Sequence, residues 1–149
     1  MGTRSLTIFE GDGMEYAVMY RQHDGSPEWH GEQLAAFLQN MPLVNGYSSG
    51  EQQAANGMGC LAAQVVAHFK QGIGNVYLYP SGTREAWEDY RYHVIAPDVP
   101  FGERVAAIMR VVAAGYDGAP DTTLFEGTAE QFLTQFLPQL QASNANPSR

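Results

Sequence analysis

Arg21, His23, Asp24, Glu28 and His30 fall together in YRQHDGSPEWHG, residues 20–31. Two imidazoles and a carboxylate, from His23, Asp24 and His30, are the donor types that hold a divalent metal. Their spacing, His-Asp and then a His after five intervening residues, matches neither a zinc motif nor a facial triad, and no further ligand motif completes it. The stretch therefore reads chiefly as a turn. Asp24 is expected to bond backbone and Gly25 to take a positive φ, while Pro27 stiffens the turn and Gly31 leads into a helix. His23, Asp24 and His30 are the metal candidates, but neither a metal site nor a cofactor is expected.

Nucleophilic chemistry would draw on Cys60, the single cysteine. His68 is eight residues further along the same expected helix, about 12 Å along its axis, too far for a direct hydrogen bond. Cys60 lies among Met58, Leu61 and Ala62, where a cysteine usually behaves as a small apolar residue. Gly57-Met58-Gly59 ahead of an apolar helix resembles a phosphate-cradling loop, and backbone amides at a helix start attract anions. No apolar strand directly precedes it, which excludes a dinucleotide fold and leaves Asn56, Gly57 and Gly59 as candidate pocket backbone. No complete catalytic set emerges.

Arginine and tyrosine on strands form a more suggestive set. Seven of the eight basic residues are arginine. Arg21 shares a strand face with His23, and Arg91 shares one with His93, with Tyr90 and Tyr92 opposite. Guanidinium groups on a sheet of an acidic protein need either acidic partners or an anionic ligand. Arginine takes phosphate or carboxylate bidentately, and tyrosine stacks on planar rings. The ordinary alternative is cross-strand pairing with Glu10, Asp89 or Glu103 and tyrosines packed in the core. The ligand candidates are Arg4, Arg21, Arg91, Tyr20, Tyr92, Asn56, Gly57 and His93.

The elements that must position these residues can be read in order. SLTIFE, GDG and EYAVMYRQ form a hairpin in which Tyr16, Val18 and Tyr20 are expected on one face and Met19 and Arg21 on the other. Leu34, Phe37, Leu38 and Met41 mark a one-sided helix closed by Pro42. Ser49-Gly50-Glu51-Gln52 fits a capping box for a second helix, although Gly57 and Gly59 suggest either a start near Asn56 or close approach of another backbone. NVYLYP, DYRYHVIA, ERVAAIMRVVAA and TTLFEG read as strands. Thr128-Ala129-Glu130-Gln131 is a capping box opening a last helix. The expected fold is α+β in the order ββααββββα. It has one domain over residues 1–141, a mainly antiparallel sheet of about five or six strands covered by two or three helices, and a polar tail at 142–149.

A chain of 149 residues with 44% hydrophobic and 11% aromatic content can bury one real core. Its net charge of −8 opposes direct binding to nucleic acid or anionic lipid, both of which draw on clustered cations. No signal peptide or membrane span is read from it, so the expected location is cytoplasmic.

MGTRSLT, YRQHDGSPEWHG and NGMGCLAAQVVAHFK together resemble a family of small phage and bacterial proteins with GTRS, YRQxDGYPxxHG and NGMGCLAAQ motifs. The likeness covers roughly the first 95 residues by motif order, and Ser26 stands where the family pattern has tyrosine. No established activity comes with it. It implies a phage or prophage setting, in the cytoplasm of an infected or lysogenic bacterium. The leading expectation is an accessory protein that sequesters a small anionic, nucleotide-derived defence signal without catalysis, with an oligomer helping to enclose the ligand. One alternative is an acidic inhibitor of a host defence protein. Another is a small hydrolase using His30, Asp24 or Cys60.

Overall fold

The computed structural model describes residues 2–48, 50–51 and 53–144. Strands β1 (Ser5–Gly11) and β2 (Met14–Arg21) form the expected hairpin. Asp12 and Gly13 both take positive φ at its tip, the conformation that Asp-Gly supplies to a tight hairpin. A π-helical turn (Pro27–Gly31) runs into α1 (Glu32–Leu38). The two-residue strands β3 (Leu43–Val44) and β4 (Ala55–Asn56) precede α2 (Gly57–Phe69). Next come β5 (Val76–Tyr79), β6 (Tyr90–Ala96), β7 (Arg104–Val105), β8 (Ile108–Ala113) and β9 (Thr122–Thr128). The chain closes with α3 (Ala129–Gln131), a second π-helical turn (Phe132–Phe136) and α4 (Leu137–Asn144).

The fold is α+β. A six-stranded sheet in the order β5-β2-β1-β6-β8-β9 is antiparallel except for the central β1–β6 pair, and a small sheet has the order β4-β3-β7. The parallel pair has a consequence for packing. Because β5 lies at one edge and β6 beyond β1, the segment between them must cross β2 and β1 on one face of the sheet. That crossing segment packs Ala86 against Leu6, Ile8, Val18 and Tyr20, which are buried although no helix covers them. Helices cover the opposite face, where Phe9, Met19, Tyr92, Val94, Met109 and Val111 join Leu34, Leu61, Val65 and Phe132 in one core.

Several expectations are corrected here. Helix α2 starts at Gly57, itself at φ 86, and part of the Ser49–Gln52 capping box lies outside the described residues. A bulge between Phe9 and Glu10 opposite β2 leaves Tyr16 unpaired, and its ring turns toward Gly11 and Gly59 instead of joining Val18 and Tyr20. The left-handed residue of the 20–31 turn is Asp24, at φ 60. Gly25 is required for a different reason: a Cβ there would lie 2.8 Å from the Arg4 carbonyl carbon. Helix α4 extends to Asn144, past the expected start of the polar tail, whose last residues lie outside the described ones. The Thr128–Gln131 capping box forms with both reciprocal bonds.

Candidate functional site

Arg21 ends β2 on the helix-covered face, with Ser5 beside it on β1 and Val76 beside it on β5. Its side chain reaches under the π-helical turn and is 7% exposed. Nη1 donates to His30 Nδ1 at 3.1 Å and to Gln33 Oε1 at 2.6 Å. The guanidinium carbon sits 5.6 Å from the centre of the Phe69 ring. His30 is fully buried, and its Nε2 lies 2.7 Å from Thr7 Oγ1. The imidazole also packs against Phe69 and edge-on against Tyr92, while the Tyr92 hydroxyl donates to the Gly25 carbonyl at 2.7 Å. Wide π-helical winding from Pro27 is what turns His30 inward, with the Gly31 N–H bonded back to the Ser26 carbonyl.

Elementary donor counting fixes the protonation pattern. Arginine only donates, so His30 Nδ1 accepts, and the ring proton resides on Nε2, which donates to Thr7. Burial, reinforced by the adjacent Arg21 charge, pulls the His30 pKa down to about 3. The ring is therefore neutral throughout the physiological range. The Thr7–His30 contact has the spacing of a nucleophile and its base, but its polarity is reversed. Nε2 carries a proton where a base needs a lone pair, and a cation stands where a triad places a carboxylate. The cluster is built to hold Arg21, not to abstract a proton.

Arg21 differs from the arginines that are paired. Arg84 meets Glu15, Arg91 meets Glu88 and Asp121, and Arg104 meets Glu51. Arg21 has no ion-pair contact among the described residues, and the Asp24 carboxylate acts on it only through space. Burial pushes its pKa below the usual arginine value, though a guanidinium stays charged. Its Nε is buried without a hydrogen-bond partner among the described residues. Beside Arg21 lies a cavity of about 380 Å³, lined also by Gln33, His68, Phe69, Gln71 and Asn75, with no acidic side chain. A buried cation without an ion pair among the described residues thus stands at the wall of a cavity that has no acidic side chain.

The eight ligand candidates do not converge on this cavity. On β1, Ser5 is paired with Arg21 and Leu6 with Arg91; consecutive residues point to opposite faces, so Arg21 and Arg91 lie on opposite sides of the sheet. Arg91 is occupied by its two carboxylates, and His93 by Glu10. Burial lowers the His93 pKa from its ordinary value, with Glu10 acting in the other direction. Tyr20 lies on the Arg91 side, stacked on Tyr79 with 5.1 Å between ring centres, where burial raises its pKa and Arg4 partly offsets the rise. The Arg4 backbone N–H donates to Asp89 at 3.0 Å. Tyr92 is wholly buried, which removes it as a stacking platform.

Asn56 and Gly57 border a separate cavity of about 530 Å³ that also presents Asp12 and Asp98, a poor setting for an anion. The Asn56 side-chain oxygen accepts from the Gly46 N–H. His23 is exposed, whereas His30 is committed to Thr7 and Arg21, and among the described residues no group of three or more His, Cys, Asp or Glu side chains could hold a metal. Half-buried Cys60 lines another cavity with Tyr47 and Gln64. Among the described residues, no helix is long and apolar enough to cross a membrane.

Sequence reasoning found Arg21 but missed Thr7, Gln33, Phe69 and Asn75. Only Gln33, one helical turn beyond His30, and Asn75, after the Gly-Ile-Gly run, carried a local signal. The chain matches no protein-family model, no curated protein and no solved structure.

Proposed function

We propose that the protein is a binding module that holds a small anionic molecule in the Arg21 cavity without transforming it. One observation carries this reading: a buried arginine, without an ion-pair contact among the described residues, lines a cavity that contains no acid. Elsewhere the protein uses carboxylates to neutralise Arg84, Arg91 and Arg104. Leaving Arg21 without one is costly unless something else supplies the negative charge. The neutral, Nε2-protonated His30 speaks against turnover at the same place.

The motif likeness to phage proteins makes a nucleotide-derived defence signal the first ligand class to try, in the cytoplasm of an infected or lysogenic bacterial host. Arg21 contributes the charge, and Gln33 and Asn75 contribute neutral polar contacts. Arg4, Arg91, Tyr20 and Tyr92 take no part in the pocket.

Native mass spectrometry of the purified protein, followed by denaturing release and a nucleotide panel, tests the reading. The expected result is a bound anion whose affinity falls at least about 30-fold in Arg21→Ala, the loss that follows from truncating one partner of a buried charge pair. Arg91→Ala should bind as the wild type does. Equal binding by Arg21→Ala and wild type, or turnover of any bound nucleotide, would overturn it.

A further inference from the structure

The crossing segment and the β8–β9 loop bring two exposed aromatic rings together. Trp87 is 75% exposed and Tyr116 39%. The rings stack with their centres 6.5 Å apart and 24° between their planes. Tyr116 lies against one face of the indole, which leaves the other face to solvent. Glu88 ties this pair to the fold. Its wholly buried carboxylate accepts from the Ala86 N–H at 2.7 Å and from Arg91 Nε at 2.6 Å. Its backbone carbonyl accepts from the Tyr116 hydroxyl. The Ala119 N–H closes the loop that carries Tyr116 by donating to the Tyr116 carbonyl at 3.0 Å. Both rings are held before any partner arrives, which lowers the ordering cost of binding.

Packing among the described residues does not call for tryptophan at position 87. Its ring belongs to neither of the buried apolar clusters. Its backbone is at φ 60, a region that suits glycine and is least suited to a bulky side chain. A small or polar residue would serve the fold better. The surrounding charge indicates what the open ring face accepts. Glu85, Asp89, Asp117 and Asp121 are exposed and close in sequence to one ring or the other, and Glu88 adds a fifth carboxylate. Three bases stand against them. Arg91 lies between Glu88 and Asp121, Arg84 is paired with Glu15, and the Arg4 charge bears on Tyr20. The balance is negative. Burial raises the Tyr116 pKa, and the charges of Glu88, Asp89 and Asp121 add to the rise, which Arg91 partly offsets.

We propose that the Trp87–Tyr116 platform is a docking surface for a basic protein segment, which lays an arginine side chain over the open face of Trp87. A guanidinium is attracted to an indole face by the ring quadrupole, and the surrounding carboxylates draw in the cations that flank it. Tryptophan, tyrosine and arginine are also the residue types that carry most of the energy at protein interfaces. A nucleobase stacked on the same ring would bring its phosphates against the carboxylates. A second copy of the chain, itself at a net charge of −8, is opposed in the same way. No residue of this surface lines the Arg21 cavity, so the two readings stand or fall separately.

The test is an NMR titration of the whole protein with acetyl-tetra-arginine amide. It is read at the indole N–H signals of the two tryptophans, assigned with Trp29→Phe. Maltotriose and AMP are the neutral and anionic comparison probes. The expected result is that only the basic peptide moves the Trp87 signal, with an affinity that falls as salt is raised. Trp87→Leu, which keeps an apolar side chain and loses the quadrupole, should weaken the peptide about fivefold. Trp87→Gly should lose binding as well, yet leave the urea midpoint unchanged or higher, because glycine adopts the left-handed backbone freely. Equal peptide affinity in Trp87→Leu and wild type would overturn the proposal, leaving only a general attraction to an acidic surface. A Trp87 shift with maltotriose or AMP and none with the peptide would overturn it in favour of a sugar or a nucleobase. A lowered midpoint in Trp87→Gly would make the ring a part of the fold and overturn it too.

Discussion

Acid should destabilise this protein over two pH ranges of different origin, and the first belongs to His30. In the unfolded chain this imidazole titrates near its ordinary 6.5, whereas in the folded protein it is held down to about 3. Between those values the unfolded state binds the extra proton, so stability rises with pH. The contribution is complete above 6.5 and is lost progressively as pH falls toward 3. Each pH unit in the window is worth about 1.4 kcal/mol, so acidifying from neutral to about pH 5 removes roughly 2 kcal/mol, and crossing the whole window roughly 5 kcal/mol. His93, lowered by burial, acts with the same sign. Glu15 and Asp121, with pKa values lowered by their hydrogen bonds and arginine partners, lose their contributions only below the ordinary carboxylate range. The measurement is urea unfolding at intervals from about pH 8 to pH 4, in wild type and in His30→Gln. An amide can still donate toward Thr7 and accept from Arg21, but it does not titrate. The variant's stability should therefore fall less between about pH 6.5 and 5, by the His30 share of roughly 2 kcal/mol. Parallel curves for the two proteins, or an NMR signature of protonated His30 at about pH 5, would refute the argument.

Three further substitutions probe the frame around the site. Gly25→Ala should cost about 1–3 kcal/mol in chemical unfolding, because the added Cβ would meet the backbone of Arg4 and Ser5 at 2.8–2.9 Å. Glu88→Ala should cost about 3 kcal/mol: it removes a wholly buried carboxylate from Arg91 and from the Ala86 N–H, although Asp121 still meets the guanidinium. A loss no larger than that of an exposed ion pair would show that the crossing segment is not held by Glu88. Thr128→Ala removes half of the capping box and should lower the melting free energy by about 1 kcal/mol, read by thermal unfolding.

The elements were largely legible in the sequence, and their pairing was not. Alternation and turn residues identify the β1–β2 hairpin, and the run at 104–113 does form strands, broken at Ala106–Ala107, despite its helical spacing of Val105, Ile108, Met109 and Val112. Periodicity says which residues share a face within one strand but nothing about faces on different strands, because that depends on register. Arg21 and Arg91 look equivalent by local pattern, yet a one-residue offset against β1 sends them to opposite sides. The parallel β1–β6 pair, made by residues more than 80 positions apart, left no local trace. Nor did the π-helical winding at 27–31, which changes what His30 can touch.

The same register that disperses the arginines explains why Arg21 in particular has no carboxylate partner among the described residues. On the Arg91 side the crossing segment brings its own acids and bases, so Glu88 and Arg84 meet partners from the strands. On the helix-covered side the neighbours of Arg21 are a threonine, a neutral imidazole, an amide and an aromatic ring. The imidazole and the amide accept from Nη1 and fix its geometry, but none of the four can neutralise it. The free protein thus carries a desolvation cost at one position, next to a cavity open to a small molecule. An anion that binds there offsets that cost only in the folded state, so it should raise stability with the logarithm of its concentration above the dissociation constant. A purely structural arginine would show no such dependence, since its partners are already inside the fold. Ligand-dependent melting in wild type, absent in Arg21→Ala, therefore separates a receptor from a core residue whatever the natural ligand is.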